Sequence, residues 1–239
     1  MSNSKRAAGR AAAEQVTSGM VVGLGTGSTV FYTLERLGER VRDEGLTLTG
    51  LPTSTDTEAK ARDFGIPLVG FDELAPGAGG GGIDLTIDGA DEIDGAFRMI
   101  KGGGGALLRE KVVASLSRRV VIIVHEAKVV ADLGAAFPLP VEVVPFARTP
   151  VRRALVALGA EPLLRVDDLS QPFRTDNGNE ILDCRFEGGI ADPEALAAAL
   201  AGIPGVVESG LFLGLCDHLV IGREDGAVEE RPAPVQGPA

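Results

Sequence analysis

Four carboxylic acids fall within seven residues of this chain: Asp88, Asp91, Glu92 and Asp94. Crowded acids repel one another and hold protons more tightly, so such a cluster suits a divalent metal, acid–base work on a hydroxylated ligand, or a solvated acidic turn. Asp88 and Asp91 flank the step Gly89-Ala90 directly after an apolar run, which aims both at a crevice. Glu92 and Asp94 are assigned to solvent. Lys101 follows closely and no His lies nearby. A lysine beside a carboxylate pair favours a site without metal. In Lys101-Gly102-Gly103-Gly104-Gly105 an ammonium precedes a flexible, anion-accepting turn, and it can stabilise charge that develops on an oxygen. Glu110 lies in the second turn of the helix that follows. From spacing alone, a surface Glu beside Arg109 and Lys111 is the simpler reading.

A second glycine loop lies upstream, at Gly23-Leu24-Gly25-Thr26-Gly27-Ser28-Thr29. It follows an apolar run and opens a helix, whose first N–H groups attract anions. Thr26, Ser28 and Thr29 add hydroxyl donors. Ser28 stands where a dinucleotide fingerprint needs its third glycine, and no acid ends the next strand. No Lys follows Gly27, so the loop is not a P-loop. A small phosphoester suits it better than a nucleotide. His125 and His218 are far apart and are read as packing or surface groups. Lys128, four residues past an apolar strand, lies within reach of the same crevice.

These residues need a scaffold that brings strand ends together. Apolar spacing predicts a helix over residues 5–17, a strand over 20–24, a helix over 28–42 and a strand over 46–49. A helix over 57–64, an extended run over 66–69, a strand over 83–87, a helix over 106–117 and a buried strand over 120–124 complete the first part. Strand and helix alternate, the pattern of a doubly wound, mostly parallel Rossmann-like sheet. Residues 77–82, five glycines and one alanine, read as a flexible connection. Pro138 and Pro140 mark a boundary near 135. Strands over 141–144, 162–166, 181–186 and 206–211, with helices over 150–158 and 193–201, give the β-α-β-β-α-β order of a smaller ferredoxin-like α+β domain. Residues 219–221 form a last strand, returning to the large domain, and 231–239 read as a mobile tail. The domains are therefore 1–134 with 213–239, and 135–212.

Composition limits the partners. The chain has 239 residues, 44% hydrophobic, with a net charge of −11. That charge offers no generic attraction to nucleic acid or to an anionic membrane, so any phosphate site is built locally. No apolar run of ~18 residues exists to span a bilayer. The polar, basic start has no signal core. Two separated cysteines, Cys184 and Cys216, fit a reduced, cytoplasmic chain without a zinc site.

Taken together, Gly25-Thr26-Gly27-Ser28-Thr29, Asp88-Gly89-Ala90-Asp91-Glu92-Ile93, and Lys101-Gly102-Gly103-Gly104 with Arg109-Glu110-Lys111 resemble ribose-5-phosphate isomerase of the A type, from Lys5 to about Gly226. Residues 137–143 and 175–179 resemble further family segments. The resemblance implies interconversion of ribose 5-phosphate and ribulose 5-phosphate through an enediol, with no metal and no cofactor. It implies that Glu110 moves the proton between C2 and C1. Asp88 and Asp91 hold sugar hydroxyls and assist ring opening, and Lys101 stabilises the enediolate. Thr26, Gly27, Ser28 and Thr29, with Lys5 and Lys128, hold the substrate and its phosphate. Gly89, Ala90, Gly102, Gly103 and Gly104 line it. A homodimer or homotetramer is implied. Many relatives carry Asp-x-Ser-Lys where this chain has His125-Glu126-Ala127-Lys128.

Two other functions compete. A nucleotide-dependent oxidoreductase would need the missing third glycine and the ribose acid. A sugar-phosphate sensor resembling this fold would carry an added DNA-binding segment, for which the start of the chain leaves no room.

Overall fold

The computed structural model describes residues 2–74 and 82–233. Most of the glycine connection at 77–82 and most of the tail lie outside them. Two compact units form: Met1–Ala90 with Arg109–Val129 and Leu215–Ala239, and Asp91–Leu108 with Val130–Gly214.

In the first unit, α1 (Ser2–Ala13), β1 (Met20–Leu24), α2 (Val30–Glu44), β2 (Leu48–Pro52), α3 (Thr55–Asp63) and β3 (Leu85–Gly89) follow in order. The chain then makes β4 (Glu92–Ile93) and β5 (Met99–Ile100) in the second unit. It returns through α4 (Leu107–Ser115) to β6 (Val120–His125). The second unit continues with β7 (Leu139–Val143), α5 (Arg148–Ala157), β8 (Ala160–Leu164), β9 (Glu180–Phe186), α6 (Pro193–Ala201), β10 (Val206–Ser209) and β11 (Leu211–Phe212). β12 (His218–Gly222) and β13 (Val228–Pro232) complete the first unit.

The large sheet runs β13-β12-β6-β3-β1-β2, with every pairing parallel except that of β13. Alanines and leucines of α1 and α2 pack on one face with Val22, Leu24, Ile87 and Ile123. Val113 of α4 packs with Leu51 and Ile83. Each fully buried Leu, Ile or Val contributes roughly 1.5–3 kcal/mol, and parallel strands covered on both faces explain the unbroken apolar run of β6. In the second unit, β10-β7-β9-β8 is antiparallel throughout, the ferredoxin-like order. Its core holds Val141, Val143, Leu182, Val151, Leu155 and Leu200.

The compact units divide the chain differently from the boundaries read at 134 and 212. Residues 91–108 go with the smaller unit, because β4, β5 and β11 form their own three-stranded sheet and Ile100 joins the smaller core. The single strand expected over 206–211 is two strands in two sheets. They bend at Gly210, where a Cβ would lie 2.3 Å from the Lys101 carbonyl oxygen. Pro140 lies inside β7 rather than ending the domain. It sits just past the last β10 pair, where its carbonyl accepts from the Gly210 N–H at 2.7 Å. The third strand also sits two residues later than apolar alternation suggested, which puts Asp88 within the ladder, opposite Ile122. The antiparallel edge strand β13 had no apolar signature, being largely exposed.

Candidate active site

The first unit holds Lys5, Thr26, Gly27, Ser28, Thr29, Asp88, Gly89, Ala90, Glu110 and Lys128. The glycine loop leaves β1 through Gly25, whose N–H donates to Ile87 at 3.0 Å. A Cβ on Gly25 would fall 2.1 Å from Asp88 Oδ1, so the close approach of loop and acid requires glycine. Asp88 is 2% exposed, and its Oδ1 accepts from the N–H groups of Thr26 (3.1 Å) and Gly89 (2.7 Å). The loop therefore positions this acid through its backbone. Lys5 Nζ meets Ser28 Oγ at 2.9 Å, which brings a cation from α1 onto the loop. The Thr29 hydroxyl makes no capping bond at the start of α2. Ionic and hydroxyl donors together suit a phosphate.

Glu110 lies in the first turn of α4 and is 4% exposed. It is a buried carboxyl, not the surface group that spacing alone favoured. The charges of Lys128 and Lys5 reach His125. Burial pushes the His125 imidazole below its ordinary value, and the two lysines add to the shift.

Three hydroxyls escaped the sequence reading. Thr26 Oγ1 lies 2.8 Å from Thr53 Oγ1, 2.8 Å from Ser54 Oγ and 3.2 Å from Thr57 Oγ1. Thr57 Oγ1 also donates to the Gly25 carbonyl at 2.7 Å, and Ser54 caps α3 through the Thr57 N–H. The end of β2 thus braces the glycine loop. The run Thr53-Ser54-Thr55-Asp56-Thr57 carried the signal, a capping segment directly after a strand.

The second unit holds Asp91, Lys101, Gly102, Gly103 and Gly104. Asp91 Oδ2 accepts from the Gly103 N–H at 2.7 Å, and the Asp91 N–H donates to the Ile100 carbonyl at 2.8 Å. Gly102 takes a φ of 101°, which a side chain would strain. Lys101 is 3% exposed, with its Nζ 5.3 Å from the centre of the Phe212 ring. An ammonium at this distance is drawn to the negative face of the ring.

Glu92 and Asp94 are not in solvent. They are 2% and 3% exposed. Glu92 accepts from the N–H groups of Gly134 (2.7 Å), Ala136 (3.2 Å) and Phe137 (2.7 Å). Asp94 accepts from the N–H groups of Ala96 and Arg98 and pairs with the Arg98 guanidinium at 2.7 Å. Both are structural acids whose charge is met by backbone donors. Among the described residues, no three His, Cys, Asp or Glu side chains are placed to hold a metal.

Residues 49–226 match the family model of ribose 5-phosphate isomerase A (phosphoriboisomerase A). The chain belongs to that family. Ribose-5-phosphate isomerase A of Listeria innocua is 49% identical over 229 residues, spanning 96% of this chain and 98% of the relative. A solved ribose 5-phosphate isomerase from Plasmodium falciparum superposes with a TM-score of 0.91 at 37% identity, covering 97% of this chain and 99% of that one. A D-ribose-5-phosphate isomerase solved in complex with phospho-erythronic acid superposes with a TM-score of 0.89 at 34% identity, covering 95% and 97%.

Proposed function

We propose that the chain interconverts D-ribose 5-phosphate and D-ribulose 5-phosphate in the non-oxidative pentose phosphate pathway, through an enediol and without a metal. Full-length similarity to ribose-5-phosphate isomerase A proteins supports the reaction, and the relative bound to phospho-erythronic acid supports a phosphorylated sugar as ligand. The observation that carries the residue roles is the burial of Glu110 at the start of α4. A carbon acid beside a carbonyl needs a positioned base and a group that stabilises the oxyanion.

Asp88 and Asp91 hold the sugar hydroxyls and assist ring opening. The Glu110 carboxylate takes the proton from C2 of the open aldose, leaving an enediolate whose negative oxygen faces the Lys101 ammonium. Glu110 then returns the proton to C1, while the hydroxyl proton passes from O2 to O1, and the ketose results. One carboxylate serves both carbons because they are adjacent. Lys5, Thr26, Gly27, Ser28, Thr29 and Lys128 hold the phosphate end, and Gly89, Ala90, Gly102, Gly103 and Gly104 let backbone approach the sugar. The protein works in the cytoplasm as a homodimer or homotetramer. Cys184 and Cys216 are unpaired and buried, with thiols pushed up to about 12 by burial, so neither serves as a ready thiolate. Exposed Phe146, Leu163, Val166 and Leu169 support an interface between copies.

The test is turnover of ribose 5-phosphate by the purified protein in EDTA, beside a Glu110→Gln variant. The wild type converts the sugar in chelator. Glu110→Gln still binds it but loses roughly 10²–10⁴-fold in kcat, the usual share of a general base. Near-normal turnover by the variant removes Glu110 as the base. Loss in EDTA with rescue by a divalent ion moves Asp88 and Asp91 into metal roles.

A further inference from the structure

One peptide group in the lysine–glycine loop is gripped at both ends. Its N–H, on Gly103, donates to Asp91 Oδ2 at 2.7 Å. Its carbonyl, on Gly102, accepts from Arg165 Nη1 at 2.9 Å, and the same nitrogen lies 3.1 Å from the Gly103 carbonyl. The guanidinium is itself fixed. Its Nε and Nη2 donate to the two oxygens of Asp183 at 2.9 and 2.5 Å, and the Phe173 ring lies 5.8 Å from its central carbon. Arg165 and Asp183 are 14% and 21% exposed at their side chains. Phe173 also closes the far end of the loop, where a Cβ on Gly105 would meet its ring at 2.6 Å.

We infer that Arg165 is a positioning residue for the isomerisation, holding the Gly102–Gly103 peptide so that its N–H presents to Asp91. A cation on a carbonyl oxygen draws charge through the peptide and strengthens the N–H opposite as a donor. It also fixes the plane of that peptide, one residue after Lys101. Within the loop the Gly102 carbonyl is met by the Gly105 N–H at 3.0 Å, a single turn bond, and the guanidinium adds a second, charged donor to the same oxygen. The planar fork of arginine grips both oxygens of a carboxylate and still spares a donor for the carbonyls, a geometry that the point charge of lysine does not fix. The inference rests on the role proposed for Asp91.

The experiment compares Arg165→Met, Arg165→Lys, Asp183→Asn and Asp91→Asn for kcat, KM and melting temperature with ribose 5-phosphate. Displacement of a positioned group costs on the order of 10²-fold, so Arg165→Met loses about that in kcat with KM nearly unchanged. Arg165→Lys falls between it and the wild type, and Asp183→Asn, which loosens the fork without removing it, loses less. Millimolar guanidinium ion raises the kcat of Arg165→Met, a recovery that a residue serving only the fold would not show. If Arg165→Met does not fold, Asp183→Asn and Arg165→Lys carry the same comparison. A melting temperature that drops while kcat stays at the wild-type value overturns the inference. Wild-type turnover by Asp91→Asn sinks the role proposed for Asp91 instead, and the inference with it.

Discussion

Gly25→Ala tests how loop and acid are coupled, because its consequence can be worked from three distances. The added Cβ would sit 2.1 Å from Asp88 Oδ1, 2.3 Å from its Cγ and 2.6 Å from its Cα. Rotating the Asp88 side chain can clear the first two atoms. It cannot clear the third, which is backbone in a strand paired on both sides. Carbon atoms rest about 3.5–4.0 Å apart, so the loop or the strand end must move by about 1 Å. Overpacking of this kind costs roughly 1–3 kcal/mol, which for a chain of this size lowers the melting temperature by roughly 2–12 °C. The movement also pulls the Thr26 N–H away from Asp88 Oδ1. A shift near 1 Å in a group that orients the substrate costs on the order of 10²-fold in rate. The assay is kcat/KM for ribose 5-phosphate together with thermal unfolding. Gly70→Ala is the control, since nothing lies within 4 Å of its Cβ and its φ of −97° suits any residue. A folded Gly25→Ala protein with wild-type kcat/KM would refute the claim that this loop holds Asp88 in place.

Three further outcomes follow from single groups. Glu92→Ala strands three N–H groups and should cost about 3 kcal/mol or more in urea unfolding; a loss under about 1 kcal/mol would return Glu92 to the solvated acids. Glu39 is held down to about 2 by the hydrogen-bonded Arg10 guanidinium, so its contribution is full above the ordinary value of 4.5 and is lost as pH falls towards 2. Glu39→Gln should therefore destabilise the protein by up to about 1 kcal/mol at pH 7, the pair being partly exposed, and the gap should close near pH 2; a gap constant with pH would contradict this. By NMR, His125 should titrate below 6.5, and Lys128→Met should move the midpoint upward by removing a like charge; an unmoved midpoint would show that Lys128 points elsewhere.

How far the sequence could be read depended on whether a signal was local. The alternation of the first unit was legible because parallel strands and their covering helices each have their own period, and β1 and α6 match the expected limits of 20–24 and 193–201. The sheet formed by β4, β5 and β11 was not legible. Its strands are two residues long, too short for any period to register, and β11 pairs with β5 across about 110 residues of chain. The same distinction separates the site residues. Thr26 and Asp88 stand in recognisable motifs and Lys5 was named only through the family resemblance, whereas Arg165 finds Asp183 only because β8 and β9 pair.

The acid cluster shows why composition alone misassigned half of it. Exposure was inferred for Glu92 and Asp94 because charged side chains are seldom fully buried without partners. Their partners are mostly backbone N–H groups, which leave no mark in a sequence. All four acids draw on the same kind of donor. Both oxygens of Glu92 and of Asp94 accept hydrogen bonds from the protein. The bonds that orient Asp88 fall on Oδ1, and the bond that orients Asp91 falls on Oδ2. A carboxylate gripped at both oxygens is a structural post. Glu92 and Asp94 are such posts, and their burial follows from donors that only the folded chain supplies.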